Sequence, residues 1–166
     1  MNGRNYLLII NFIREKKYAV TLLYILGKVI TYFTVLSYIG TILWLVLEED
    51  MRVISVIFVP VVSFILVSLF RKKYNAKRPY EIYNFKPLIP KDTKGKSFPS
   101  RHVFSIYMCG SAVGFIFPAL GTAIYIMGIF LAVIRVVTGV HFPKDVAAGA
   151  FIGIICGIAG FGVLVV

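Results

Sequence analysis

The chain has 166 residues, 59% of them hydrophobic, with a mean hydropathy of +0.87. This excludes an ordinary soluble domain and leaves a single-domain integral membrane protein. The net charge of +11 is concentrated, since residues 71 to 101 carry ten Lys or Arg against two acids, Glu81 and Asp92. A basic loop between apolar spans fits an anionic lipid or a phosphate group, and fits nucleic acid least.

In chain order, residues 1–27 do not build a full span, because "REKKYA" at 14 to 19 breaks the apolar pattern. They are expected to form an amphipathic helix lying in the membrane interface, ahead of a transmembrane domain over 28–166. The stretch "YLLIINFI" is short, runs into "REKK" and lacks a small-residue cleavage site, so the spans themselves are expected to target the chain. A bilayer crossing needs ~20 apolar residues. Val29 to Leu47 and Val53 to Phe70 meet that; Val103 to Phe117 is short, Leu120 to Val137 follows, and a last span starts at Pro143. The expected fold is therefore all-α, a polytopic bundle of about five transmembrane helices plus the N-terminal interfacial helix. Gly149, Gly153 and Gly157, and likewise Gly110 and Gly114, recur every four residues, a spacing that lets helices approach closely in lipid. Cys109 and Cys156 lie in apolar runs with no metal-ligand spacing and read as packing residues.

Crossing parity then gathers three polar clusters on one membrane face: "RKKYNAKRP" (71 to 79), "SFPSRH" (97 to 102) and the stretch from Arg135 to Asp145. Both histidines of the protein, His102 and His141, fall in them, and histidine suits nucleophilic and acid roles near neutral pH. Asp145 follows His141 by four residues, and Pro143 between them fits the first turn of a helix. The carboxylate is thereby placed to accept the proton on Nδ1 and leave Nε2 free to attack. Pro99 is expected to open the third span, with the N–H groups of Ser100, Arg101 and His102 and the Ser100 hydroxyl directed at an anion. Arg78 and Arg135 add guanidinium forks that match phosphate oxygens. Asp145 is the only acid inside the three clusters, which is too few oxygen ligands for magnesium or calcium, so no metal and no other cofactor is expected.

These residues resemble the motifs of the type 2 phosphatidic acid phosphatase superfamily, integral-membrane lipid phosphatases related in their site to the vanadium haloperoxidases. The family's motifs are Lys, six residues, Arg-Pro; Pro-Ser-Gly-His; and Ser-Arg, five residues, His, three residues, Asp. Here they read Arg71, six residues, Arg78-Pro79; Pro99-Ser100-Arg101-His102; and Ile134-Arg135, five residues, His141, three residues, Asp145. The resemblance covers roughly residues 50 to 160. It implies that His141 attacks phosphorus to give a phosphohistidine, that Asp145 orients it, and that His102 protonates the leaving oxygen. It further implies that Arg71, Arg78, Ser100, Arg101 and Arg135 hold the phosphoryl oxygens. Three positions depart from the pattern. Arg71 stands for lysine, leaving open whether it or Lys72 reaches the phosphate; Arg101 stands for glycine and adds a charge; Ile134 stands for serine and removes a hydrogen bond. The implied substrate is a membrane lipid phosphate or diphosphate, such as undecaprenyl diphosphate, phosphatidylglycerophosphate or phosphatidic acid. Transfer to a second lipid in place of water, and non-catalytic binding of anionic lipid, are the competing readings. Members of the family more often face outward, whereas the basic residues of this chain favour a site facing the cytoplasm. Oligomeric state is not legible.

Overall fold

The computed structural model describes residues 3–91 and 93–163. In chain order the helices are α1 (Gly3–Arg14), α2 (Lys17–Leu47), α3 (Arg52–Tyr74), the single turn α4 (Pro79–Ile82), α5 (Arg101–Ile116), α6 (Pro118–Val137) and α7 (Pro143–Val163). No strand occurs among the described residues, and the all-α membrane bundle is the fold that the composition implies.

Four helices, α2, α3, α6 and α7, are long and apolar enough to cross a membrane. They turn large apolar side chains outward, among them Leu36, Leu66, Phe130 and Phe151, as a lipid-facing surface requires. The remaining expected span, α5, has 16 residues, short of the ~20 of a standalone crossing. It carries none of the large exposed apolar side chains found among the described residues. The reason is its place at the centre of the bundle. Val103, Ile106 and Tyr107 form one cluster with Ile30 of α2 and Ile124 and Leu131 of α6. Phe104, Met108 and Ala112, on another face of the same helix, meet Val56, Val59 and Val67 of α3 and Phe161 of α7.

The glycine stripe of α7 packs as its spacing implies. A Cβ at Gly149 would lie 2.6 Å from the Ser100 carbonyl oxygen, and one at Gly153 would lie 2.8 Å from that of Phe104. Only glycine permits this approach of α7 to α5, and the approach brings the first turn of α7, with Asp145, to the start of α5.

Residues 1–27 differ from the expected single interfacial segment. The charged run at 14–17 produces one turn, after which α2 starts at Lys17 and continues for 31 residues. Lys17 and Lys28 do not end it, because long side chains carry their charge outward along the helix; the Lys28 ammonium lies 4.5 Å from the centre of the Tyr24 ring. The preceding helix α1 leaves Leu8 and Phe12 exposed but buries Tyr6 and Ile10 against Leu88, Tyr83, Phe85 and Phe142. Its apolar stripe is thus partly spent on the protein's own loops.

Candidate active site

Helix ends set the positions of the polar clusters. Helix α3 stops at Asn75, whose left-handed conformation (φ 44) turns the chain while its N–H bonds to the Arg71 carbonyl. Helix α4 starts with Pro79 at its first position, and the Glu81 carboxylate reaches back to the Arg78 N–H at 2.8 Å. Glu81 also accepts the Gly95 N–H at 2.9 Å, and the Ser97 N–H donates to the Ala76 carbonyl at 2.9 Å. The first and second clusters are in this way stitched together through the backbone.

Into that frame α6 and α7 deliver His141. Its N–H and that of Val140 both donate to the Arg135 carbonyl, closing a tight turn with Gly139 at φ 77. The residue is 3% exposed. Nδ1 lies 3.5 Å from Asp145 Oδ2 and 3.4 Å from Ser97 Oγ, and the Ser97 hydroxyl donates to the same Oδ2 at 2.5 Å. Oδ2 also accepts the Phe142 N–H at 3.0 Å. On the opposite edge of the ring, Nε2 lies 3.4 Å from a guanidinium nitrogen of Arg78. Guanidinium only donates, so this contact requires a lone pair on Nε2 and places the ring proton on Nδ1, toward Asp145 and Ser97. Burial is the largest influence on the ring, and with the charge of Arg78 it brings the His141 pKa down to about 4 despite the carboxylate.

Arg71 and Arg78 are both buried. Arg71 donates to the carbonyls of Lys96 and Ser97. Arg78 donates to those of Gly95 at 3.0 Å and Val140 at 3.1 Å. Lys72 is exposed at the rim, so the structure separates the two residues that the sequence left as alternatives, while both line the cavity that His141 shares with His102. Arg135 lies on the other side of His102, in an adjoining cavity, with its Nε buried and without a hydrogen-bond partner. One expectation is corrected. The Ser100 N–H is not available to an anion, because it donates to the Asp145 carbonyl at 2.8 Å where α7 packs against α5. The Ser100 hydroxyl is buried and unpartnered, as is Asp145 Oδ1.

A family model described as the PAP2 superfamily matches residues 52–164. The chain belongs to the PAP2 superfamily. The lipid A 1-phosphatase of Rhizobium johnstonii is 31% identical over 101 residues, covering 58% of this chain and 41% of that protein. The bacitracin transport permease protein BcrC of Bacillus licheniformis is 26% identical over 133 residues, covering 80% of this chain and 65% of that one. The chain thus spans less than two thirds of the length of these relatives. Two solved structures share the fold, each with a TM-score of 0.65. Aquifex aeolicus LpxE is 24% identical and is matched over 83% of this chain and 86% of its own. The PAP2-type phosphatidylglycerolphosphate phosphatase of Bacillus subtilis is 16% identical, over 95% and 90%.

Within this PAP2 chain, Ser97, Glu81, Lys91 and Tyr6 take part in the site region without having been singled out by motif reading. Ser97 sits inside a quoted cluster, but its partner Asp145 is 48 residues away. Tyr6 donates its hydroxyl to the His141 carbonyl at 2.9 Å across 135 residues, and no local pattern signals that.

Proposed function

We propose that the protein is a lipid phosphatase that transfers a phosphoryl group from a lipid phosphate or diphosphate to His141 and then to water. The observation that carries this reading is the orientation of His141: a neutral ring with its proton toward Asp145 and Ser97, and its Nε2 lone pair facing the arginine-lined cavity. In the first step the Nε2 lone pair forms a bond to phosphorus and the bond to the leaving oxygen breaks, with His102 supplying a proton to that oxygen. Asp145 stabilises the imidazolium charge that develops. Arg71, Arg78 and Arg135, with the unpartnered Ser100 hydroxyl, hold the three equatorial oxygens, where charge gathers in phosphoryl transfer. Lys72 at the rim and Arg101 add to the positive field. Water then attacks the phosphohistidine, releasing phosphate and restoring the ring. Positive charge in this scheme comes from arginine and lysine, without a metal. The relatives whose names state an activity act on lipid phosphates, lipid A and phosphatidylglycerolphosphate, which agrees with a headgroup entering from the bilayer.

The test is phosphate release from lipid phosphates by the purified protein. His141→Ala abolishes turnover. His102→Ala lowers it strongly with a natural alcohol leaving group and less with an activated one, which needs little protonation. Activity persists in excess EDTA and is inhibited by vanadate, which adopts five-coordinate geometry. Near-wild-type hydrolysis by the His141 variant, or loss on chelation that magnesium restores, would sink the mechanism.

A further inference from the structure

The cavity holding His141 carries more positive charge than one phosphoryl group needs. Its described lining includes six cations, Arg71, Lys72, Arg78, Lys91, Lys96 and Arg101, and no carboxylate. Arg71 and Arg78 are anchored on backbone carbonyls beside His141. Arg101 occupies a different place. Together with His102 it lines both this cavity and an apolar one of about 290 Å³ that runs between α2, α3 and α5 past Thr34, Phe64 and Ile106. Its guanidinium lies 5.6 Å from the centre of the Phe64 ring, at the junction of the two spaces. Lys91 approaches from the connecting loop. It is half-buried and makes no ion pair among the described residues. Burial and then the charges of Arg78, Arg135, Arg101 and Arg71 hold its ammonium below the ordinary lysine pKa. A cation kept partly from water among four others is unfavourable until an anion joins it.

We propose that Lys91 and Arg101 form a second anion subsite on the leaving-group side of the scissile bond, which receives a second phosphate of the lipid substrate. This rests on the phosphatase reading above. The leaving oxygen is protonated at His102, and the apolar cavity that His102 and Arg101 both border gives the lipid beyond that oxygen a place between α2, α3 and α5. For a lipid diphosphate, His141 Nε2 bonds to the terminal phosphorus while the bridging P–O bond breaks. The bridging oxygen keeps the electron pair and takes the His102 proton, so a lipid monophosphate leaves and water later frees inorganic phosphate. A phosphodiester one glycerol unit away from the scissile phosphate presents the same chemistry to the subsite.

The experiment measures phosphate release by the full-length protein in detergent micelles from farnesyl diphosphate, phosphatidylglycerophosphate and farnesyl phosphate. Lys91→Gln is expected to lower kcat/KM for a doubly phosphorylated lipid, relative to farnesyl phosphate, by about tenfold. Lys91→Arg keeps the charge and the ratio, and Lys94→Gln, an equal loss of charge at an exposed position of the same loop, also leaves the ratio in place. Which of the two doubly phosphorylated lipids loses preference identifies how the second phosphate is attached. Unchanged ratios for both in Lys91→Gln, with wild-type hydrolysis intact, would overturn the subsite alone. Absence of hydrolysis of all three lipids by the wild type would overturn the phosphatase reading and the subsite with it.

Discussion

A histidine that attacks phosphorus has to be neutral, and at His141 the decisive influence is burial, which outweighs the adjacent carboxylate. The sign of the pH dependence follows. Because the folded-state pKa lies at about 4, below the ordinary histidine value, the ring stays unprotonated from neutrality down to that pH. For the nucleophile alone, the reactive fraction of His141 is constant across this range and falls about tenfold per pH unit below it, a limb read in kcat/KM with an activated leaving group, which does not draw on the His102 proton. Asp145→Asn removes both influences that raise the pKa, so the acid limb moves to still lower pH. The plateau rate drops by about two to three orders of magnitude at the same time, because the imidazolium loses its counter-charge. A limb that moved upward would show that Asp145 does not act on His141. Ser97→Ala takes one donor from Asp145 Oδ2 and a neighbour from His141 Nδ1, and a hydrogen bond to a charged group is worth about 1.5–3 kcal/mol. The expected result is a fall of about 10- to 100-fold in kcat with protein stability retained, checked by turnover and thermal unfolding side by side.

Among the elements, α1 has the largest consequence that motif reading does not reach. Its Tyr6 is fully buried and packs edge-on to Phe142 and face-on to Phe85, and its hydroxyl holds the His141 carbonyl. Burial, and then the charge of Asp145, raises the phenol pKa, so the hydroxyl remains a donor. Tyr6→Phe keeps the ring packing and deletes about 1 kcal/mol of hydrogen bonding, so kcat is expected to fall about fivefold with KM little altered. Equal kcat values would mean that α1 only fills space. Gly139→Ala attacks the same turn from the other side. It puts a Cβ 2.7 Å from the Phe85 ring and 2.8 Å from Ile10 at φ 77, and is expected to cost far more activity than Tyr6→Phe. These elements also show where sequence reasoning stops. The placement of Arg78, His102, His141 and Asp145 follows from local spacing, from prolines at helix starts and from crossing parity, all of which are written along the chain. The start of α2 at Lys17 is hidden, because the same charged run that reads as a break is a single turn between two helices. Ser97, Lys91 and Tyr6 are recruited by chain segments distant in sequence, and only the packing of α1, α5 and α7 creates their roles.

For the whole molecule, the placement of α1 bears on which membrane face holds the site. Tyr6 bonds to the His141 carbonyl and Arg14 to that of Lys86 at 2.6 Å, so α1 is tied to loops of the site, and its 12 residues fall short of the ~20 of a crossing. Arg4, Arg14, Lys16 and Lys17 consequently count on the same face as the 71 to 101 loop. Residues required for phosphate are a functional demand, and leaving out Arg71, Arg78, Lys91, Arg101 and Arg135 still leaves more than ten basic residues there. The opposite face has Arg52 alone, bound to Asp50 at 2.6 Å. Lys and Arg accumulate on cytoplasmic loops, so this balance favours a site that faces the cytoplasm, against the outward orientation more usual in the family. A cysteine in place of the exposed Lys94, with Cys109 and Cys156 replaced, reports the answer. It is expected to resist a membrane-impermeant maleimide in intact cells and to react after permeabilisation. Rapid labelling in intact cells would reverse the assignment, and would mean that the phosphate-binding demand on this loop has overridden the ordinary charge rule for topology.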